Sequence, residues 1–196
     1  MMIKAKLFML VPAALLLSNC AKQNPTPFEV DVVKGSYSVF LEGGATGTSG
    51  IEVNGKNILQ GAFLFQEMDK LVAIGSHGLM DVMVEFSGDS ASGTIGLTLF
   101  NHGDKQLAVN QVRLFSIRFE EAPGAEMISK NQVQISGPGN QLCLKAGSEW
   151  PWTLGFHIQG NQLCCRLDLS NSSMVLLPEE KVSLPQLAFF YHLCPQ

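Results

Sequence analysis

Charge is scarce in this chain of 196 residues. Only 15% of positions are Asp, Glu, Lys or Arg, against roughly 25% in a typical soluble domain. Lys and Arg number 13 and Asp and Glu 17, for a formal net charge of −4. A nucleic-acid binder needs a concentrated basic surface to displace counterions from phosphates, so this balance excludes that class of partner. Low charge combined with 46% hydrophobic residues excludes disorder. Strong helical periodicity is missing. Residues 64–70 and 124–130 have room for a short helical turn each. Catalytic signatures are missing as well: there is no Gly-x-Ser-x-Gly elbow, no His-Glu-x-x-His pair and no Walker loop. The glycine-rich stretch from Gly43 to Gly50 has no lysine directly after it and opens no helix, so it reads as a mobile loop. The histidines are His77, His102, His157 and His192, and only His192 and Cys194 stand at a short ligand spacing. Zinc takes three or four ligands, so neither a metal nor another cofactor is expected. His102 reads as a solvated turn residue.

One apolar run does occur, at the start. Lys4 and Lys6 precede an 11-residue apolar segment from Leu7 to Leu17. That is too short for a membrane span of ~20 residues and has the flanks of a secretory signal. Leu17-Ser18-Asn19-Cys20 resembles a bacterial lipobox, with Asn19 standing where Gly, Ala or Ser is usual. The resemblance implies cleavage after residue 19 and lipidation of Cys20, palmitate being among the acyl chains. Each buried acyl CH₂ is worth about 0.8 kcal/mol, so a multiply acylated cysteine holds a protein at a membrane. Residues 20–27 then read as a polar, proline-containing tether and 28–196 as one domain, with no second apolar run of spanning length. Removing residues 1–19 takes away two lysines and leaves 11 basic against 17 acidic side chains. The expected location is the bacterial cell envelope, membrane-anchored and facing the periplasm or the exterior.

The rest of the chain alternates with period two. Met80, Val82, Val84 and Phe86 fall on one side of their segment, and Asp81, Met83 and Glu85 on the other. The same pattern holds for Ile95, Leu97 and Leu99, for Trp152, Leu154, Phe156 and Ile158, and for Leu163, Cys165, Leu167 and Leu169. Residues 28–33 and 36–41 give two shorter runs. Turn chemistry separates the runs: Asn54-Gly55, the 101–104 segment, Gly137-Pro138-Gly139 and Pro178-Glu179-Glu180. Many short strands with one polar face predict an all-β, antiparallel β-sandwich.

Five cysteines are present. With Cys20 assigned to lipid, Cys143, Cys164, Cys165 and Cys194 remain, and an exported protein can keep disulfides. Gly139-Asn140-Gln141-Leu142-Cys143 recurs as Gly160-Asn161-Gln162-Leu163-Cys164. Strand phase places Cys143 and Cys164 on polar faces and Cys165 toward the core, making Cys143–Cys164 the preferred bridge among three possible pairings, with four free thiols the competing outcome.

The segment Leu97-Thr98-Leu99-Phe100-Asn101-His102-Gly103-Asp104-Lys105, continuing to Val112-Arg113-Leu114, resembles a hairpin of the N-terminal β-supersandwich of family 36 glycoside hydrolases, the α-galactosidase-like enzymes. Trp152-Thr153-Leu154-Gly155-Phe156 and Leu176-Leu177-Pro178-Glu179-Glu180-Lys181-Val182 resemble later parts of the same domain, so the likeness runs over residues 80–190. In those enzymes a following (β/α)₈ barrel carries two catalytic aspartates, and no residue here matches either. The resemblance therefore implies a supersandwich-like ancillary domain without the enzyme. The function expected is a noncatalytic envelope lipoprotein whose sandwich binds carbohydrate or serves glycan handling. Trp150 is the candidate for stacking on a sugar ring, while Trp152, in phase with Leu154 and Phe156, belongs to the core. Two other readings are a scaffold that binds an envelope protein through a surface or edge strand, and an enzyme of unrecognised type, such as an epimerase acting on sugars, with carboxylate and His side chains converging in a cleft.

Overall fold

The alternating runs become strands in the computed structural model, which describes residues 26–41, 44–118, 124–137, 140–149, 151–167, 169 and 173–191. In chain order these are β1 (Phe28–Asp31), β2 (Ser36–Leu41), β3 (Gly44–Ser49), β4 (Glu52–Val53) and β5 (Lys56–Asn57). Next come β6 (Phe63–Glu67), β7 (Lys70–His77), β8 (Met80–Gly88), β9 (Ser92–Asn101) and β10 (Leu107–Val109). Then follow β11 (Val112–Arg118), β12 (Gly124–Ser129), β13 (Gln132–Gly137), β14 (Asn140–Ala146) and β15 (Ser148–Glu149). The last are β16 (Trp152–Gln159), β17 (Gln162–Leu167), β18 (Met174–Leu176), β19 (Lys181–Ser183) and β20 (Leu187–Tyr191). Among the described residues the fold is all-β and every strand pairing is antiparallel.

Two large sheets face one core. The nine-stranded sheet runs β12-β13-β14-β20-β9-β8-β7-β6, with β19 also on β9. The six-stranded sheet runs β15-β16-β17-β11-β4-β5, and a three-stranded sheet β1-β2-β3 packs beside them. Strand β9 is shared: β20 pairs with its first residues and β19 with its last, while the Leu184 amide bonds the Leu97 carbonyl between them at 2.8 Å. Five buried rings join the three sheets. Phe28 of β1 lies 5.2 Å from Phe86 of β8 and 5.9 Å from Phe189 of β20, and Phe189 lies 5.7 Å from Phe115 of β11. Tyr37 of β2 completes the group, 5.5 Å from Phe86. Tilted and edge-on rings of this kind add to the burial energy of each side chain.

The inward phase is as read: Met80, Val82, Val84 and Phe86 are core, as are Ile95, Leu97 and Leu99. Asn54-Gly55 forms the β4–β5 hairpin, both residues having positive φ (50° and 77°) as a tight type I′ turn requires. Three readings change. Residues 64–70 lie in the β6–β7 hairpin, turned at Met68 (φ 50°), and residues 124–130 include β12, which pairs with β13. Backbone pairing with a neighbouring strand outweighs the weak local helical preference of both segments. The glycine-rich stretch supplies β3, which pairs with β2 from Leu41↔Gly44 to Tyr37↔Ser49. Thr26 and Pro27, read as the end of the tether, are buried, and the Phe40 amide donates to the Pro27 carbonyl at 2.6 Å.

Candidate functional site

The outer face of the nine-stranded sheet carries an open depression of about 340 Å³ lined by Ile74, Asp81, Met83, Thr98, Phe100 and Lys181. Strand register explains the grouping. Ile74, Met83, Thr98 and Ser183 form one cross-strand row, and Ser76, Asp81, Phe100 and Lys181 form the next. Each is the outward residue of its strand, so an apolar floor (Ile74, Met83, Phe100) meets a rim of acid, base and hydroxyl. Thr98 Oγ1 lies 3.2 Å from Ser183 Oγ, fixing part of that rim.

Asp81 is held by two neighbours. The Ser76 hydroxyl donates to its Oδ1 at 2.7 Å, and Nδ1 of His102 lies 3.3 Å from its Oδ2. His102 is placed by the buried residue before it. The Asn101 amide donates to the carbonyls of Lys105 (2.8 Å) and Leu177 (3.0 Å), while its Oδ1 accepts from the Gly103 amide at 3.0 Å. Asn101 thus ties the 101–105 turn to the 177–180 turn that precedes Lys181, and the second turn is closed by a 2.6 Å bond from the Leu177 amide to Glu180 Oε2. The His102 ring lies 6.4 Å from the Phe100 ring. His102 is an exposed turn residue, as read, and β8–β9 pairing also brings it onto Asp81 across 21 positions of sequence. Further along the face, Lys70 bonds Glu85 at 2.8 Å, and that carboxylate raises the Lys70 pKa. A second depression of about 360 Å³ opens by Asn131, Lys145, Ser148 and Gln186.

Cys20 and Trp150 lie outside the described residues. Trp152 packs against the core, as read. The Cys143–Cys164 bridge is corrected: Cys143 is disulfide-bonded, but Cys164 and Cys165 are free thiols. Both cysteines have the outward phase of their strands, although Cys143 is buried and Cys164 only half-buried, and the strands belong to opposite sheets. Cys143 pairs with Gln134 and Phe190 in the nine-stranded sheet, and Cys164 with Ser116 and His157 in the six-stranded one. Packed sheets lie ~10 Å apart, beyond the reach of a disulfide. Among the described residues no group of three or more His, Cys, Asp or Glu side chains is placed to hold a metal ion. Phe100 was the residue the sequence reading passed over. Its signal was its phase, for in a strand without a bulge an aromatic next to inward Leu99 faces outward.

No protein-family model matches the chain, and no curated protein matches it. Solved structures do. A polysaccharide lyase is similar with a TM-score of 0.50 and 13% identity over 75% of this chain and 26% of that one. The fold is a β-sandwich resembling part of a carbohydrate-active enzyme. An α-galactosidase of glycoside hydrolase family 36 from Geobacillus stearothermophilus is similar with a TM-score of 0.46 and 12% identity, over 80% of this chain and 30% of that one. A protein from Synechocystis has a TM-score of 0.49 and 12% identity, over 84% of this chain and 75% of that one. The chain spans about a quarter of the lyase's length, and identities of this size speak to the fold alone.

Proposed function

We propose that this protein is a noncatalytic, lipid-anchored envelope protein that binds carbohydrate at the depression on its nine-stranded sheet. The observation that carries the reading is the exposed phase of Phe100 over an apolar floor, with Asp81, Thr98 and Lys181 at the rim. A sugar ring presents an apolar face that packs on such a floor and hydroxyls that bond such a rim. Carboxylate spacing supports the noncatalytic reading as far as glycoside hydrolysis by the acids of this strand is concerned. Asp81 and Glu85 are the two outward acids of β8 and stand four residues apart, about 13 Å by strand rise. Glycoside hydrolysis uses pairs separated by ~5–9.5 Å. Anchoring rests on the lipobox-like start, with Cys20 as the lipid attachment site.

Titration calorimetry and a glycan array on the full chain test the sugar site. Phe100→Ala and Lys181→Ala are expected to weaken the preferred glycan about tenfold each, in line with loss of a packed ring or a charged hydrogen bond, and Trp150→Ala measures its share. Failure of the unaltered protein to bind any glycan overturns the reading. Incorporation of labelled palmitate, lost in Cys20→Ser, tests the anchor.

A protein-partner role is favoured by one other feature. Strand β6 ends the nine-stranded sheet and presents Phe63 (68% exposed) at one end and the turn residue Met68 (92% exposed) at the other. An open edge of this kind accepts a strand from another chain. Capture of one envelope protein that Phe63→Glu abolishes, with the glycan array silent, would select this reading over the first.

A further inference from the structure

The chain contains three arginines, Arg113, Arg118 and Arg166, and all three stand on the outer face of the six-stranded sheet, on adjacent strands β11 and β17. Their grouping is created by a β-bulge. Register shifts between Arg113 and Phe115, so Leu114 and Phe115 both enter the core and Arg113, Ser116 and Arg118 all point out. Arg113 stands directly opposite Arg166. Like charges in that position are destabilising unless something else compensates them. Glu52 pairs with Arg113, whose Nε remains buried without a hydrogen-bond partner. Arg118 and Arg166 are exposed and make no ion pair or side-chain hydrogen bond among the described residues.

Beyond Arg166 the row ends at Gly155. A Cβ there would lie 3.9 Å from His157 Nε2 and 3.9 Å from Lys130 Cε, so the bare glycine leaves a gap bordered by those two side chains next to Arg166. Along the strand, Arg118 lies about 13 Å from Arg113, four strand rises away. The surface between them is polar: Ser116 accepts a 2.8 Å bond from Gln162, and Cys164 and His157 complete that row.

We propose that this face binds an anionic polysaccharide, its carboxylate or sulfate groups seated between the arginines and its hydroxyls on the intervening amide and hydroxyl side chains. Guanidinium groups present paired donors that match both oxyanions. Two cationic positions about 13 Å apart along the strand fit an extended polymer better than a single small anion. Single-stranded nucleic acid is disfavoured because these rows offer one ring, the His157 imidazole, and no run of aromatic platforms on which successive bases stack, and an anionic membrane because they offer no large apolar side chain to enter it. The face lies on the opposite side of the sandwich from the Phe100 depression, so the inference does not depend on the sugar site there.

The test is binding of the full chain to polygalacturonate and to dextran sulfate, with uncharged dextran as control. Saturable binding to at least one polyanion is expected, weakened by added salt and reduced about tenfold or more in the Arg118→Gln/Arg166→Gln double variant. Lys34→Gln, a charge loss elsewhere, leaves it unchanged. The responding polymer identifies the oxyanion. Circular dichroism of the double variant establishes that the fold persists, and single Arg118→Gln and Arg166→Gln variants carry the test if it does not. No binding to either polymer, binding that survives arginine removal, or binding only to an oligonucleotide or to anionic vesicles overturns the proposal.

Discussion

The Tyr37 hydroxyl donates a 2.7 Å hydrogen bond to the Leu114 carbonyl, joining the three-stranded sheet to the bulged strand of the six-stranded one. The ring is fully buried, and burial pushes the phenol well above its ordinary pKa of 10.0. Tyr37→Phe strands a buried carbonyl and is expected to cost about 1–3 kcal/mol in urea unfolding. Above pH 10 the unfolded chain releases the phenol proton while the folded chain keeps it. Stability of the unaltered protein therefore falls as pH rises past 10, and Tyr37→Phe flattens that fall. An alkaline slope equal in both proteins would refute the assignment.

Asp89 titrates in the opposite sense. Its carboxylate accepts from the Ala91 and Ser92 amides, both at 2.9 Å, in the β8–β9 turn. Those amide bonds hold its pKa below the ordinary 3.8. The stabilisation is present above pH 3.8 and lost as pH falls through the lower folded value. Asp89→Asn is expected to be less stable near neutrality, with the difference shrinking below pH 4, read by thermal melts across an acid series. A constant difference would count against the turn's role.

Gly75 has no room to grow. A Cβ there would lie 2.1 Å from the Ile58 carbonyl oxygen, a backbone atom. Gly75→Ala is expected to cost about 3 kcal/mol, the upper range for overpacking. Gly78→Ala is its counterpart: the turn glycine has open space but φ of +65°, and should cost about 1 kcal/mol. Equal losses in denaturant unfolding would sink the steric account.

Thiol labelling of the native chain should modify half-buried Cys164 and spare Cys165, whose burial raises its pKa, until the chain unfolds. Because Cys164 and Cys165 are free, Cys20 and Cys194 remain as possible partners for Cys143. Thioether lipidation would occupy the Cys20 sulfur. The anchored form is therefore expected to yield a Cys143–Cys194 peptide on non-reducing mapping, and a Cys143–Cys20 peptide would contradict the anchor.

Strand content was legible wherever one face is apolar and the other polar, as in Met80–Phe86, and wherever a turn demands particular residues, as at Asn54-Gly55. Segments lacking that contrast misled. Phe63-Leu64-Phe65 has no polar alternation, and Gly44–Ser49 has little side chain at all, so neither announces the partner strand that orders it. The candidate site was less legible than the fold. Asp81, Phe100 and Lys181 meet through register, a long-range property that no local pattern encodes. The cysteines teach the same lesson: phase gives the direction of Cys143 and Cys164 from their strands, but says neither which sheet owns each strand nor that Cys143 is covered.

The single extra residue between Arg113 and Phe115 works as a phase corrector. It lets β11 bury two consecutive bulky side chains and still return its later guanidinium to water. A one-residue insertion downstream of it would rotate Arg118 into the hydrocarbon interior and Ile117 out. The tolerance of this strand to length changes is therefore set by parity rather than by the number of atoms added.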